Sequence, residues 1–155
     1  MIESPKLRTE HVFTVTVTVD PTADLGISPL GERRLVPILS GTFEGPRMRG
    51  EVLPGGIDWQ LLRADAVTEI EAHYILKTDD GVLIRVINSG FRYGAPDVIL
   101  RLAIGEAVDP SEYYFRAAPI MAAPTGRYDF LNRALFVSSG ERYPDRVVLH
   151  FFEVL

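Results

Sequence analysis

The chain has 155 residues, 46% of them hydrophobic and 24% charged, a balance typical of one globular domain over residues 1–155. Its net charge of −5 argues against nucleic acid and anionic membranes as partners, because both bind proteins mainly through Lys and Arg. The absence of cysteine excludes disulfides, thiolate metal ligands and cysteine nucleophiles. Without an apolar signal segment or an apolar run near the roughly 18 residues of a membrane span, we expect a cytoplasmic protein.

Alternation of apolar and polar residues is the main structural signal along the chain. Residues 11–19 place Phe13, Val15 and Val17 on one side of a strand and threonines on the other, until Asp20-Pro21 ends it. Residues 20–33 form the longest predicted loop, which we expect to cover a barrel mouth. Seven further predicted strands, rich in β-branched and aromatic residues, cover residues 33–40, 47–53, 67–77, 82–91, 112–121, 133–139 and 146–154.

These elements predict an all-β fold, a closed antiparallel up-and-down β-barrel of about eight strands, because closure removes the exposed edges of a meander. One short helix is predicted at residues 95–104, where Pro96 suits the first turn and Gly105 can end the helix. The strand at residues 146–154 is apolar on both faces. We therefore expect the helix or a second subunit to cover it, which favours a homodimer.

The hairpin around Thr78-Asp79-Asp80-Gly81 predicts a strand register. A two-residue Asp80-Gly81 loop of type I′ is a favoured short hairpin connection. The pairs that would then share one face are Lys77 with Ile84, Ile75 with Val86, His73 with Asn88, Glu71 with Gly90 and Glu69 with Arg92. This face is apolar near the turn and polar away from it.

If that face points into the barrel, its polar residues form a catalytic site. Glu71 in an apolar cavity would have a raised pKa and act as a general base, and His73 could act instead or relay the proton. Arg92 would stabilise an oxyanion or enolate, and Asn88 would orient a carbonyl. Gly90, opposite Glu71, would leave space for the bound molecule.

The alternative is that the same face is outside the barrel. Glu69 and Arg92 would then form an ordinary cross-strand ion pair on a solvated surface. A register shift of one residue would exchange the two faces and reverse every assignment. The sequence leaves both interpretations open.

Two other segments supply candidate binding residues. Asp58 and Trp59 follow a glycine turn and could form an acidic and aromatic barrel mouth, or instead bond turn amides and fill the core. Tyr114 and Arg116 share a strand face and could bind an anionic or phenolic ligand, or belong to a half-buried strand with an extended Arg.

Cofactor motifs are absent from the sequence, so neither a cofactor nor a metal site is predicted. The three histidines have no metal-ligand spacing. No glycine-rich phosphate loop leads into a helix, and no nucleophile elbow occurs.

The glycine-containing motifs resemble those of an uncharacterised family known as domain of unknown function 3237, or uncharacterised protein family 0311. They are Gly41-Thr42-Phe43-Glu44-Gly45-Pro46, Gly50, Leu53-Pro54-Gly55-Gly56-Ile57-Asp58-Trp59, Thr78-Asp79-Asp80-Gly81, Asn88-Ser89-Gly90 and Tyr113-Tyr114-Phe115-Arg116 with Pro119. The resemblance covers nearly the whole chain and implies a β-barrel. It implies little about function. Where the family pattern leads us to expect an Arg, this chain has His73.

Three functional hypotheses follow from a barrel just wide enough for one small ligand. The first is a cofactor-independent isomerase, cyclase or lyase acting on a small, largely apolar carbonyl-bearing or aromatic metabolite. The second is a lipocalin-like carrier that binds such a molecule without chemistry. The third is a solid-packed barrel that serves oligomerisation. Whether the protein is an enzyme stays open at this point.

Overall fold

The computed structural model describes all 155 residues and contains ten β-strands and one α-helix. The helix α1 covers Pro96–Ala103, and two short 3₁₀ helices cover Pro110–Glu112 and Asp129–Asn132. The strands are β1 Thr9–Val19, β2 Ala23–Ser28, β3 Gly31–Glu44, β4 Arg49–Val52, β5 Gly56–Leu62, β6 Thr68–Thr78, β7 Leu83–Gly94, β8 Tyr113–Ala122, β9 Leu135–Arg142 and β10 Arg146–Val154.

The strands close into an antiparallel barrel. Around the ring, β1 pairs with β10, and pairing continues through β9, β8, β7 and β6. Strands β4 and β5 each pair with both β6 and β3, so they share one position in the ring, and β3 returns to β1. The predicted closed eight-stranded β-barrel is therefore confirmed, with β2 as an extension that pairs only with β3.

Two strands were missed by the sequence prediction. Strand β2 lies inside the segment predicted as the longest loop, and its residues are almost all exposed, so burial leaves no alternating pattern in them. Strand β5 directly follows the Pro54-Gly55 turn and carries polar residues on its inner face. A strand with polar residues facing inward lacks the apolar alternation by which strands are found.

The predicted helix is found within one residue of its expected limits. Ala95 and Ile104 flank α1, and the buried residues Val98 and Leu102 join the barrel core. The helix packs mainly against β7. No helix in the structure is both long and apolar enough to span a bilayer.

The β6–β7 register differs from the prediction by one residue. Thr78 N–H donates to Val82 O at 2.9 Å, which leaves the three residues Asp79–Gly81 as the loop. Within this loop only Gly81 has a positive φ, +87°, as in a type I turn followed by a left-handed residue. The predicted two-residue type I′ turn is wrong. The additional loop residue reverses the faces of β6 relative to β7, so Asn88 and Arg92 share a face with Ala72 and Thr68 rather than with His73 and Glu69.

On β6, the inner face is therefore the face that the sequence prediction described as mostly apolar. On β7, it is the face that carries Asn88 and Arg92. Ala72 pairs with Asn88, and Thr68 pairs with Arg92. The inward residues are Thr68, Ile70, Ala72, Tyr74 and Leu76 on β6, and Ile84, Val86, Asn88, Gly90 and Arg92 on β7.

One end of the barrel is filled by aromatic and aliphatic side chains. The Phe13 ring stacks on Phe151 at a centroid distance of 4.6 Å and lies 5.4 Å from Phe43. Met48, from the turn between β3 and β4, and Tyr128, from the connection between β8 and β9, are also buried in this core. We call this region the closed end of the barrel.

Candidate functional site

A cavity of about 500 Å³ lies inside the barrel at the other end. Loop residues Asp20–Thr22 and Tyr143–Asp145, together with Ala103 at the end of α1, contribute to its lining. Cavities of this size commonly hold small organic ligands. The solid-packed barrel, one of the three sequence-based hypotheses, is therefore wrong.

The cavity has an apolar part and a polar part. Its apolar lining is contributed by Val17, Val19, Val36, Ile38, Ile70, Ala72, Phe115, Val147 and Leu149. Its inner polar lining consists of Asp58, Gln60, Tyr74, Asn88, Arg92 and Arg142. We call these six residues the polar group.

The polar group is assembled from four strands. Asp58 and Gln60 alternate on β5, and Asn88 and Arg92 lie on β7. Because successive strand residues point to opposite faces, each of these pairs shares the inner face. Tyr74 on β6 and Arg142 at the end of β9 complete the polar group.

Asp58 is a desolvated carboxylate. Burial raises its pKa, although the hydrogen bond from Gln60 and the positive charges of Arg92 and Arg142 oppose the shift. Gln60 Nε2 donates to Asp58 Oδ2 at 2.8 Å. The other carboxylate oxygen, Oδ1, is buried and has no hydrogen-bond partner. A carboxylate with this environment is a stronger base than an exposed one.

Two guanidinium groups lie in the same cavity. Burial and the like charge of Arg142 lower the pKa of Arg92 to about 9, while the charge of Asp58 acts in the opposite direction. Burial likewise lowers the pKa of Arg142. The Arg92 guanidinium lies 5.4 Å from the centroid of the Phe115 ring, a cation–π contact that helps to position it.

Two further polar atoms of the group have no partner within the chain. The Tyr74 hydroxyl and Asn88 Oδ1 are buried and accept or donate no hydrogen bond. Burial, and then the charge of Asp58, raise the pKa of Tyr74, so the phenol is neutral across the physiological range. Buried polar groups are normally paired, so three unpaired atoms in one cavity indicate a place for the polar groups of a ligand.

The described chain has no cluster of three or more His, Cys, Asp or Glu side chains that could hold a metal ion. The polar group contains one carboxylate, one carboxamide pair and no imidazole. In other proteins, buried carboxylates serve proton transfer and buried guanidiniums bind oxyanions.

Comparison with known proteins identifies the family of the chain. The family model described as a protein of unknown function (DUF3237) matches residues 7–154. The chain belongs to the DUF3237 family. A UPF0311 protein from Rhodopseudomonas palustris (strain TIE-1) is 39% identical over 152 residues, which cover 98% of this chain and 99% of that protein.

Solved structures have the same fold as this DUF3237 chain. The crystal structure of a conserved protein of unknown function from Rhodopseudomonas palustris has a TM-score of 0.95 at 39% identity, covering 98% of this chain and 100% of that one. The crystal structure of an enzyme from Penicillium herquei has a TM-score of 0.74 at 20% identity, covering 100% of both chains. At that identity the second likeness shows the fold alone.

The structure brings together three of the site residues predicted from the DUF3237 sequence. Asp58, Asn88 and Arg92 all line the cavity. Their chemical roles stay predictions. Gly90 does not open the cavity as predicted, because a Cβ at this position would lie 2.1 Å from Arg116 O, so its function is the close approach of β7 and β8.

The prediction that Glu71 and His73 face the cavity is wrong. Both lie on the outer face of β6, with side chains 58% and 43% exposed and with His73 Nε2 3.3 Å from Glu71 Oε2. The one-residue register shift at the turn is the physical reason. The alternative interpretation, a solvated outer face, describes Glu71 and His73 correctly. The ion pair that it predicted between Glu69 and Arg92 does not form, because Glu69 lies near Arg63 and Arg92 is buried inside the barrel.

The other three predicted binding residues also lie outside the barrel. Trp59 is 40% exposed and Tyr114 is 42% exposed, and the Tyr114 ring stacks on Tyr93 at a centroid distance of 4.8 Å. Arg116 Nη1 donates to Phe115 O at 2.9 Å on the same outer face. None of the three lines the interior cavity, so they cannot contact a ligand bound there.

Sequence reasoning missed Gln60, Tyr74 and Arg142. Gln60 stands two residues after Asp58, so recognising β5 as a strand would have placed both on one face. Tyr74 belongs to the mostly apolar face of β6, and an apolar face is the one expected to point inward. Arg142 had no local signal, because its position in the cavity depends on where β9 ends.

Proposed function

We propose that this barrel binds a small, largely apolar carbonyl-bearing or aromatic metabolite and acts on it as a cofactor-independent isomerase, cyclase or lyase. The observation that carries the proposal is the desolvated carboxylate of Asp58 in the same barrel cavity as two guanidiniums. Pairs of oppositely perturbed titratable groups in a cavity are typical of proton-transfer sites.

Asp58 is the base in this proposal. Its carboxylate takes a proton from the carbon next to a carbonyl group, and the electron pair of the broken C–H bond forms a C=C bond. The carbonyl oxygen thereby becomes a negatively charged enolate oxygen. In a ligand that has a C=C bond on the far side of the deprotonated carbon, this enolate is a dienolate. The protonated Asp58 returns the proton to its terminal carbon, the C=O bond re-forms and the C=C bond moves into conjugation with it, which completes an isomerisation without any cofactor.

The remaining polar residues stabilise the charged intermediate. Arg92 and Arg142 line the same cavity as Asp58 and can attract a developing enolate charge, and buried charged groups stabilise such a charge more strongly than exposed ones do. The Tyr74 hydroxyl, which is neutral, can donate a hydrogen bond to the same oxygen. Asn88 can orient a second polar group of the ligand through its unpaired Oδ1.

The apolar lining of the cavity fits the proposed class of ligand. The apolar lining beside the polar group provides a surface for the hydrocarbon part of a metabolite, so that only its reactive part meets Asp58.

The proton-transfer function is tested with 2-tetralone, an aromatic ketone whose protons next to the carbonyl can be followed by ¹H NMR in D₂O. We expect the wild-type protein to accelerate exchange of these protons by at least about 100-fold over buffer, the usual contribution of a general base. The Asp58→Asn variant should return the rate to near the buffer value. An Asp58→Asn variant with the wild-type exchange rate would exclude Asp58 as the base.

Glu71→Gln is the matched control, because it removes a carboxylate from the outer face of the neighbouring strand. We expect its exchange rate to equal that of the wild type. Loss of exchange in this variant alone would restore the original assignment of Glu71 as the base.

The second candidate function is a lipocalin-like carrier, which would bind a small molecule in the same cavity but transfer no proton. In that case 2-tetralone would shift the NMR signals of cavity residues, while the wild-type exchange rate would not exceed that of Asp58→Asn.

The cytoplasmic location, the absence of nucleic-acid and membrane partners and the homodimer stay predictions. The homodimer is testable by light scattering of the purified protein.

A further inference from the structure

The charges inside the cavity do not balance. The polar group contains two guanidiniums, of Arg92 and Arg142, and one carboxylate, of Asp58. The other two carboxylates of the lining, Asp20 and Asp145, belong to the exposed loops at the mouth, and Asp145 is already paired with Arg146 at 3.2 Å. The interior therefore has an excess positive charge in a protein whose net charge is −5.

Neither interior guanidinium has a hydrogen-bond or ion-pair partner within the chain, although Arg92 is only 6% exposed. Six of the other arginines form ion pairs with carboxylates of the chain. Arg34 lies 3.2 Å from Glu32, and Arg47 lies 3.0 Å from Glu153. A guanidinium offers five N–H donors, and leaving them unused away from bulk water is unfavourable.

The cavity thus offers donors and positive charge in excess of its acceptors. A neutral ligand would occupy the volume but would leave the charge of one guanidinium uncompensated. An anionic oxygen accepts strong charge-assisted hydrogen bonds from arginine, often two from one guanidinium. The ligand property that best fits the cavity is one ionised oxygen attached to an otherwise apolar body.

We propose that the natural ligand is a monoanion whose ionised oxygen, from a carboxylate or from an acidic enol, is bound by Arg92 and Arg142. This inference rests on the proposed function and makes it narrower. In the ground state the guanidiniums neutralise the ligand, while Asp58 and Asn88, whose Oδ1 atoms are free, receive its hydroxyl or acidic C–H group.

The test uses two probe pairs that differ mainly in charge. The first pair is 2-naphthoate and its neutral amide, 2-naphthamide. The second pair is dimedone, an acidic 1,3-diketone that is an enolate at neutral pH, and neutral 3,3-dimethylcyclohexanone. Dissociation constants are measured by calorimetry, and the binding site is located by NMR signals of cavity residues. We expect the anion of at least one pair to bind at least about tenfold more tightly than its neutral counterpart.

The two pairs also distinguish the source of the anionic oxygen. A preference confined to 2-naphthoate identifies a carboxylic acid ligand, and one confined to dimedone identifies an acidic enol. The wild-type comparison needs no variant, so it stays decisive even if a substitution in the cavity prevents folding.

Arg92→Gln and Arg142→Gln test the residues themselves. Each should weaken anion binding by at least about tenfold and leave the neutral probe unchanged, because only the anion depends on the guanidinium charge. Arg116→Gln, on the outer face, is the matched control and should change neither. Retention of the full anion preference in both interior variants would overturn the assignment.

The outcomes separate this inference from the proposed function. If neutral probes bind in the cavity as tightly as the anions, the inference is wrong and small-molecule binding stands. If no probe of either charge shifts the signals of cavity residues, the proposed function fails and this inference fails with it.

Discussion

The two ends of the barrel are built on the same strands but in opposite ways. At the closed end, the Phe13 ring stacks on Phe151 and contacts Phe43 in a tilted arrangement, and all three rings are buried. At the cavity end, strands β5, β6, β7 and β9 present carboxylate, phenol and guanidinium groups. Asp58 Oδ1 and the Tyr74 hydroxyl have no hydrogen-bond partner within the chain. One end contributes apolar burial, and the other contains groups whose burial is unfavourable.

This contrast shows how a small domain can hold a cavity lined by unpaired polar groups. Large buried aromatic side chains contribute most to the stability of a domain. Unpaired buried polar atoms each reduce it. The closed end can therefore offset the unfavourable burial of Asp58, Tyr74 and Arg92, so substitutions at the two ends should change stability in opposite directions.

The largest expected effect is at the closed end. Phe151 is fully buried and stacked on Phe13, so Phe151→Ala should lower the free energy of unfolding by about 3 to 5 kcal/mol. Urea denaturation measures the change. Leu135→Ala is the control, because Leu135 is 78% exposed and its truncation should change stability by less than about 0.5 kcal/mol. A loss below about 1 kcal/mol in Phe151→Ala would contradict the contrast.

At the cavity end, Asp58→Asn should stabilise the protein at neutral pH. Burial raises the pKa of folded Asp58 above its usual value of 3.8, so ionising the carboxylate is less favourable in the folded state than in the unfolded state. We expect the melting temperature of Asp58→Asn at pH 7 to exceed that of the wild type by about 2 °C or more.

The pH dependence provides the control for this variant. Well below pH 3.8 Asp58 is protonated in both states, so the difference in melting temperature should disappear there. It should grow as the pH rises from 3.8 to the raised pKa of the folded state and stay constant above it. Equal melting temperatures at all pH values would show that Asp58 is not desolvated. A lower melting temperature of the variant at pH 7 would contradict the prediction. It would show that the attraction between Asp58 and the two arginines contributes more free energy than the burial of the Asp58 carboxylate costs.

The smallest expected effect is that of Tyr74→Phe. The Tyr74 hydroxyl is buried without a partner, so its removal should leave stability unchanged or raise it by up to about 1 kcal/mol. Tyr128→Phe is the matched comparison, because the Tyr128 hydroxyl donates to Asp80 Oδ1 at 2.8 Å and its removal should be destabilising. Equal losses in the two variants, measured by urea denaturation, would show that Tyr74 has a partner after all.

Much of the architecture was predictable from local patterns. The alternation at residues 11–19, the helix beginning at Pro96 and the apolar C-terminal strand were each recognisable within a few residues of their true limits. In each of these elements the residues that are buried are also the apolar ones, so the sequence pattern alone shows which side faces the core. Strand β5 was missed because its inward residues Asp58 and Gln60 are polar.

The candidate site was half predictable. Asp58, Asn88 and Arg92 were singled out for their chemistry, but Glu71 and His73 were assigned to the interior because the turn was assumed to contain two residues. A strand alternates with period two, so a single loop residue decides which side chains are inside. The sequence did contain evidence for the correct orientation, because Ile70, Ala72 and Tyr74 form the more apolar face of β6 and apolar faces usually point inward.

By itself, the sequence determined the class of fold, the position of the helix and which ionisable and polar side chains are available for a site. These follow from composition and from the alternation of neighbouring residues. The tertiary structure alone decided which face of the β6–β7 hairpin is internal and which distant residues meet. Arg142 lies in the cavity with Asp58 because the ring of strands closes, and closure is a property of all the pairings together.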